Sequence, residues 1–406
     1  MTTQAEPRAP GRSPTDEELA ERFRPVFDRI AEHAVERESQ RRLPHEEIGW
    51  LRAAGFGAVR VPVELGGSGA TLTQLVALLI DLGAAESNLP QALRAQFGFV
   101  EGLLADPGTE RSQRWLAAAG RGVLVGNATS ERGANVRGIA STTLSERDGR
   151  LLLNGTKYYT TGSLFADHLS VAAQDARTGR RVGVLVPADA PGVERRDDFT
   201  GIGQRLTASG TTVFTDVEVD PAELGAAGTL AGYRAGFAQL VLLAALAGIA
   251  RRAADDVADY VRRRTRTWGH GNADLVRADP LVQQVVGRVD SAAHAARATV
   301  LAAAAALERS GPHDRDPTGE IDVYRAQVTV PDLVLRATSE LFEVGGASSV
   351  DEDRGLDRHW RNARTIAVHN PVIYKQRIVG EYLLDGTAPE FTPSVGIAPA
   401  LVEGQR

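Results

Sequence analysis

The 406-residue sequence contains no cysteine and a single methionine. Without cysteine there can be no disulfide, no cysteine-ligated zinc and no thiol nucleophile. Any catalysis must therefore use oxygen and nitrogen groups or a bound cofactor. The eight histidines are scattered without the spacing of metal ligands, and we predict no metal site. The absence of cysteine also fits a reducing compartment, so we expect a cytoplasmic protein.

Long hydrophobic runs are equally scarce. The one long run, residues 235–250, is interrupted by Gln239 and is short for a bilayer span. We predict a helix buried in a helical bundle or at a subunit interface, and no membrane partner. The N-terminus, MTTQAEPRAPGRSP, lacks the apolar core of a signal peptide, and we predict a disordered segment before the first helix. The net charge of −6 argues against a nucleic-acid partner.

Nucleotide-binding motifs are also absent. Gly201 and Gly203 begin a dinucleotide fingerprint, but Leu206 occupies the position of its third glycine. No βαβ pattern surrounds these residues, so a Rossmann site is not expected. The sequence also lacks a P-loop and the nucleophile elbow of the α/β-hydrolases.

What the chain does contain is three compositional blocks in series. Helical periodicity comes first, with Thr15 and Glu18 forming a capping box. Short β-rich runs follow, separated by turn dipeptides such as Asn154-Gly155, and helical composition then returns. The domains that we predict are residues 15–119, 120–226 and 227–385, with a polar tail at 386–406. This order predicts an α+β fold with a small antiparallel barrel or sandwich in the middle.

Three segments, in order and at family-like spacing, resemble landmarks of the acyl-CoA dehydrogenase family. They are AAGFGAVRVPVELGGSGA, LNGTKYYTTGSLFADH, and LFEVGGASS followed by RNAR. The resemblance implies an N-terminal helical domain, a central antiparallel β domain and a C-terminal four-helix bundle. It also implies a homotetramer, built as a dimer of dimers, with flavin sites shared across subunits.

The resemblance extends to residues of a flavin site. The predicted cofactor-binding residues are Asn127, Thr160, Thr161, Arg266, Trp268, Gly345 and Gly346, and the predicted catalytic residues are Asn127, Thr161, His369 and Asn370. Thr161, next to Thr160 in KYYTTG, matches the family threonine whose hydroxyl and backbone reach the reactive edge of the flavin. Asn127 matches a segment that lies along the flavin, and both Asn127 and Thr161 are candidates for a catalytic role. Gly345 and Gly346 would let the backbone approach an anionic group closely. The alternative interpretations are that Asn127 and Thr161 are ordinary strand residues and that the two glycines end a helix.

Asn370 departs from the dehydrogenase pattern. In that family a glutamate shortly after an Arg-Asp-Ala-(Lys/Arg) stretch removes a proton from the substrate. Between Arg361 and Pro371 in this chain, Asn370 takes the place of that glutamate. An amide cannot accept the proton near neutral pH. Residues 235–250, which match the helix that carries the base in other members, contain no Asp or Glu.

The segment DRHWRNARTIAVHNPVIYKQRIVGEYLLDG instead resembles one branch of the family. This branch is the two-component, reduced-flavin-dependent (group D) monooxygenases related to dibenzothiophene and dimethylsulfone monooxygenases. There, a separate flavin reductase supplies reduced FMN. Arg266, followed by Trp268, matches the arginine that helps to hold the FMN phosphate. On the substrate side, histidines of the branch are replaced here by Gln96 and Phe97, which we predict to line the substrate pocket.

The branch implies an oxidoreductase that activates oxygen. Reduced FMN would react with O2 at flavin C4a to give a hydroperoxide, whose distal oxygen passes to a small sulfur, nitrogen or aromatic substrate. His369, beside Asn370, would supply a proton or orient the peroxide, although a core histidine is an equally open interpretation. The alternative function is an FAD-dependent acyl-CoA dehydrogenase or oxidase with a relocated base.

Overall fold

The computed structural model describes residues 13–132, 141–226 and 232–389. Most of the predicted tail lies outside this part of the chain. The helices before the sheet are α1 (Asp16–Ala31), α2 (Ala34–Ser39), α3 (His45–Ala53), α4 (Leu72–Ala85), α5 (Leu89–Ala92), α6 (Arg94–Leu104) and α7 (Glu110–Gly120). The capping box predicted at the start of α1 is confirmed, because Thr15 and Glu18 each accept a hydrogen bond from the backbone amide of the other.

The middle of the described chain forms one sheet of eight strands. These are β1 (Val125–Ala128), β2 (Thr143–Arg147), β3 (Arg150–Tyr158), β4 (His168–Asp175), β5 (Arg181–Pro187), β6 (Val193–Arg195), β7 (Thr211–Val219) and β8 (Leu224–Ala226). The order is β6-β7-β3-β2-β4-β5-β8, and β1 pairs with β4. Most pairs are antiparallel, but β1 and β2 both run parallel to β4, so the sheet is mixed. The prediction of a purely antiparallel domain was wrong in this respect.

Three long helices dominate the C-terminal part: α8 (Tyr233–Arg263), α9 (Pro280–Ser310) and α10 (Thr318–Glu340). Helix α8 also packs against α4, and a Cβ on Gly248 would lie 2.5 Å from the carbonyl oxygen of Ile80. Among the described residues, α8 alone is long and apolar enough to cross a membrane, but 78% of its apolar window is buried inside the protein. This burial agrees with the prediction of a core helix.

Two shorter helices, α11 (Asp357–Ala367) and α12 (Val372–Asp385), complete the described part and both contact α10. Residues 368–371 separate them, and Pro371 caps the start of α12. This break carries His369 and Asn370, and the His369 ring contacts Arg94 at the start of α6. The fold thereby brings together residues that are far apart in the sequence.

Candidate active site

The turn that follows β3, Thr160-Thr161-Gly162, lies against the backbone that enters α6. Gly162 has a φ of 79°, and a Cβ on it would lie 2.2 Å from the carbonyl oxygen of Ala92. Only glycine combines this left-handed conformation with so close an approach. Because Arg94 follows Ala92 by two positions, the packing brings Thr161 close to the start of α6.

Asn127 joins β1 to this turn. Its backbone amide donates to the carbonyl oxygen of Thr161 at 3.1 Å, and its side-chain Nδ2 donates to the carbonyl oxygen of Tyr159 at 3.2 Å. Asn127 Oδ1 accepts from Thr129 Oγ1 at 2.7 Å. The structure therefore brings Asn127 and Thr161 together, as the sequence predicts, and uses the asparagine to fix the backbone on both sides of Thr160.

The Thr161 hydroxyl ends a chain of hydroxyl groups whose proton directions can be deduced. Thr207 Oγ1 donates its single proton to the carbonyl oxygen of Gln204 at 2.8 Å. Ser209 Oγ, 2.7 Å from Thr207 Oγ1, must then donate to it. By the same reasoning Thr161 Oγ1 donates to Ser209 Oγ, 2.8 Å away. Thr161 Oγ1 is thereby set as an acceptor toward any ligand.

Thr160 faces the interior of the β domain instead. Its Oγ1 donates to the carbonyl oxygen of Gly210 at 2.9 Å and accepts from Thr212 Oγ1 at 2.9 Å, and its side chain is fully buried. This buried position differs from the prediction that Thr160 binds the cofactor. Both of these hydrogen bonds of the Thr160 hydroxyl are made inside the β domain, whereas the Thr161 hydroxyl bonds Ser209.

Gln96 and Phe97 also lie in the core. Gln96 Nε2 donates to the carbonyl oxygen of Gly57 at 3.0 Å, while its Oε1 accepts from the backbone amide of Val125 at 2.8 Å. The Phe97 ring meets the edge of the Phe56 ring at 5.6 Å between centroids. Both side chains are 1% exposed. These contacts differ from the predicted position in the substrate pocket, because both polar groups of the Gln96 amide bind backbone, Oε1 that of β1 and Nε2 that of Gly57.

Arg94 and His369 form the opposite side of the site. Arg94 Nη2 donates to His369 Nε2 at 3.2 Å, since a guanidinium has no lone pair to offer. His369 is exposed to solvent on one side, although protein atoms crowd the rest of its ring. Burial, and then the charge of Arg94, hold the pKa of His369 far below its usual range. The imidazole is therefore neutral near pH 7 and carries its proton on Nδ1.

This protonation state bears on the role predicted for His369. A neutral imidazole can orient a ligand through its N–H group, but it is a poor proton donor compared with an imidazolium ion. Of the two predicted roles, the structure favours orientation. Arg94 was not among the residues predicted from the sequence. The feature that could have identified it in the sequence is a charged arginine near the start of the otherwise apolar stretch ALRAQFGFVE.

Asn370 is held by an amide cluster inside the helical bundle. Its Nδ2 donates to Gln239 Oε1 of α8 at 2.9 Å, and Gln327 Nε2 of α10 donates to the same oxygen at 3.2 Å. Within the described residues no carboxylate is close enough to shift the pKa of His369 or of Arg94. The position of the dehydrogenase base thus holds an amide, with no acidic side chain beside it to replace the glutamate.

A second group of predicted residues lines a cavity of about 720 Å³ at the C-terminal end of α8. Arg264 stacks over the Trp268 ring, 4.2 Å from its centroid, and donates to the carbonyl oxygens of Arg266 and Gly345. The Arg266 guanidinium has no hydrogen bond or ion pair to the described residues and is exposed. Gly346 has a φ of 61° and lies against Trp268. Arg266 is thus the cation available to an anionic ligand, and Arg264 builds the wall.

The two groups of residues are separate within one chain. None of Asn127, Thr161, Arg94 and His369 lines the cavity beside Arg266. No hydrogen bond between described residues joins the group on β1 and β3 to the group around Trp268. Two features that suit one flavin, a polar edge and a phosphate-binding cation, therefore lie on different parts of the surface.

Helical, β and helical domains in this order define the acyl-CoA dehydrogenase type of fold. Three family models match the chain: the acyl-CoA dehydrogenase N-terminal domain at residues 13–122, the middle domain at 127–217 and the C-terminal domain at 240–373. The chain belongs to the acyl-CoA dehydrogenase family. The family and the three-domain α+β fold predicted from the sequence are confirmed.

Among its relatives, the chain is similar to monooxygenases. It is 31% identical over 401 residues to a dibenzothiophene monooxygenase of Rhodococcus qingshengii, covering 91% of this chain and 92% of the relative. It is 27% identical over 383 residues to a probable FMNH2-dependent monooxygenase, SfnC, of Pseudomonas putida, covering 90% and 94%. FMN-bound TdsC of Paenibacillus sp. A11-2 superposes with a TM-score of 0.83 at 28% identity, covering 91% of this chain and 98% of that one.

Proposed function

We propose that this protein is a flavin-dependent monooxygenase that uses reduced FMN and O2 to oxygenate a small sulfur-containing substrate. Nitrogen and electron-rich aromatic acceptors are the alternatives. The observation that carries this proposal is Asn370, an amide bonded to Gln239 at the position of the dehydrogenase base. The site otherwise keeps the polar groups that suit a flavin. Similarity to FMN-dependent monooxygenases over nine-tenths of the chain supports the same function.

The residues present fit FMN. Arg266 and the backbone beside Gly346 would hold the phosphate in the cavity at the end of α8. Thr161 Oγ1 would accept from the N5–H group of the reduced ring, whereas the oxidised ring has no hydrogen at N5 to donate. When bound, reduced FMN supplies the electrons that activate oxygen. His369 would orient the substrate or the oxygen through Nδ1–H, and the packed β3 turn would limit the access of water.

We also propose that the active form is a homotetramer. The separation of Thr161 from Arg266 within one chain supports a flavin site completed by a second copy. Helix α12 buries none of its residues, and its apolar side chains Ile373, Tyr374, Leu383 and Leu384 are exposed, which supports an interface on this helix. A separate flavin reductase would supply reduced FMN. We propose a cytoplasmic location for both proteins.

The test is to mix anaerobic protein loaded with reduced FMN with oxygenated buffer in a stopped-flow spectrophotometer. We expect a transient absorbance distinct from those of reduced and oxidised FMN, and slower return to oxidised flavin than for free reduced FMN. Direct return at the rate of free flavin would contradict the proposal. The acyl-CoA dehydrogenase alternative predicts bleaching of FAD-loaded protein on addition of an acyl-CoA, and we expect no bleaching.

A further inference from the structure

Arg94 is a partly buried cation that no carboxylate of the described residues neutralises. Burial lowers its pKa to about 10, and no acidic side chain of the described residues opposes that shift. The guanidinium therefore stays charged at neutral pH. Within the part of the chain that the structure describes, its one hydrogen-bond partner is the imidazole of His369.

Arg37, a fully buried arginine of the same domain, has the carboxylate partners that Arg94 lacks. Arg37, 1% exposed, forms ion pairs with Glu47 at 2.8 Å and Glu86 at 2.9 Å. Burying a cation without such partners costs free energy, because water is removed and nothing replaces its interaction with the charge. An arginine left unpaired at a cleft is stabilised when a bound ligand supplies the negative charge.

The surroundings of Arg94 indicate which ligands fit. His369 is neutral and offers only an Nδ1–H donor, and Asn370 is an uncharged amide. One cation without an anion leaves the site with a single unmatched positive charge. Gly162, which follows Thr161, packs against the carbonyl oxygen of Ala92, two residues before Arg94, and Arg94 does not line the cavity beside Arg266. The charge of Arg94 is thus nearer in the fold to the turn that carries the predicted reactive edge of the flavin site than to the phosphate cavity.

We propose that the substrate carries a monoanionic oxyanion group, such as a sulfinate or a carboxylate, that Arg94 binds next to the oxygenated atom. This inference rests on the monooxygenase function proposed above. A planar guanidinium can give two parallel N–H bonds to the two oxygens of such a group. A neutral aromatic substrate would leave Arg94 desolvated and unpaired, and a dianion would call for a second cation.

For a sulfinate, the reaction is balanced with the reactants already named. The sulfur lone pair forms the new S–O bond as the O–O bond breaks, giving a sulfonate. Reduced FMN is oxidised by two electrons, and the second oxygen atom leaves as water with the two hydrogens of the reduced flavin. The negative charge stays on the substrate throughout, so Arg94 can hold it from binding to product.

The test measures binding without oxygen chemistry, by calorimetry on the FMN-loaded protein. The probes are two matched pairs, propanesulfinate with methyl propyl sulfone, and butanoate with butanamide. We expect the charged member of at least one pair to bind more tightly to the wild type. Arg94→Gln should weaken that binding roughly 10- to 100-fold and leave the neutral member unchanged, and Arg94→Lys should restore part of the loss.

Controls separate this role from a structural one. Arg147→Gln removes an exposed arginine that pairs with Asp216, and it should not change probe binding. Arg94→Gln should keep or raise the melting temperature, since it leaves no carboxylate without a partner.

Equal binding of charged and neutral probes, no binding of either charged probe, or full affinity in Arg94→Gln would overturn the proposal. So would a loss of FMN affinity with riboflavin affinity unchanged, because Arg94 would then bind the flavin phosphate. A monooxygenase whose Arg94 fails this test would still pass the stopped-flow test.

Discussion

At the scale of single residues, the hydroxyl chain from Thr161 to Gln204 decides what the site can recognise. Its last member, Thr161, has its proton committed to Ser209, so it presents an acceptor to the flavin that we propose to bind there. An acceptor matches the N5–H of reduced FMN and faces the lone pair of oxidised FMN. The wild type should therefore bind reduced FMN more tightly than oxidised FMN.

Ser209→Ala should reduce this preference. Without Ser209 the Thr161 hydroxyl loses its acceptor at 2.8 Å and is left with the carbonyl oxygen of Tyr159 at 3.4 Å. Its proton becomes free to turn toward N5 of the oxidised ring. We expect the ratio of the two affinities to fall roughly tenfold, which lowers the two-electron potential of bound FMN by about 30 mV.

Potentiometric titration of the bound flavin measures this change directly. Ser163→Ala is the matched control, because Ser163 Oγ is a buried hydroxyl that contacts Thr160 and not Thr161. It should leave the potential unchanged. An unchanged potential in Ser209→Ala, with normal folding, would mean that the hydroxyl chain does not set the flavin preference.

The sequence identified part of this site and missed the rest for a physical reason. Asn127 and Thr161 carry a local pattern, and the structure joins them by a hydrogen bond. Ser209 and Arg94 reach the same place through packing between distant segments, which no local pattern reports. Gln96 was assigned to the pocket by its place in a motif, yet its amide is bound to the backbone of Gly57 and Val125.

At the scale of elements, helices were easier to predict than the pairing of strands. Alternating side chains report which face of a strand is buried, but not the direction of its neighbour. Strands β1 and β2 pair with successive parts of β4, at residues 168–171 and 174–175, and both are parallel to it. The parallel pairs depend on connections that the alternation does not encode.

The turn after β3 gives a prediction at this scale. Gly162→Ala forces a left-handed conformation on alanine and drives its Cβ into the carbonyl oxygen of Ala92, which is backbone and cannot turn aside. We expect a loss of about 2–4 kcal/mol in the free energy of unfolding. Weaker binding of reduced FMN should accompany it, since Thr161 is displaced.

Gly179→Ala separates the cost of the left-handed conformation from the cost of the contact with Ala92. Gly179 has a φ of 66°, and the nearest atom to an added Cβ is the flexible end of Gln174 at 3.9 Å. That variant should lose only about 1 kcal/mol in urea denaturation, the cost of the left-handed conformation alone. Equal losses in the two variants would show that the contact with Ala92 does not position the turn.

At the scale of the whole molecule, the residues proposed for the two ends of one flavin do not share a cavity within one chain. Thr161 lies in the turn after β3, His369 lies in the break before α12 and bonds Arg94 of α6, and Arg266 lines the cavity at the end of α8. Sequence resemblance supplied the expectation of a shared site, which stays a prediction. Assembly and flavin binding should therefore be linked, because each copy would complete the site of another.

The exposed end of α12 allows this link to be tested. Leu383 and Leu384 are 76% and 82% exposed, so replacing both with lysine removes no core packing from the single chain. We expect Leu383→Lys/Leu384→Lys to keep its helical circular dichroism but to fall below the tetramer mass by light scattering, with reduced FMN bound at least tenfold more weakly. Leu281→Lys, at a 62% exposed leucine of α9, is the control and should keep the wild-type mass.

A double variant that remains tetrameric would place the interface elsewhere. One that dissociates yet binds reduced FMN normally would mean that each chain holds a complete site, and Arg266 would then lose its assigned role.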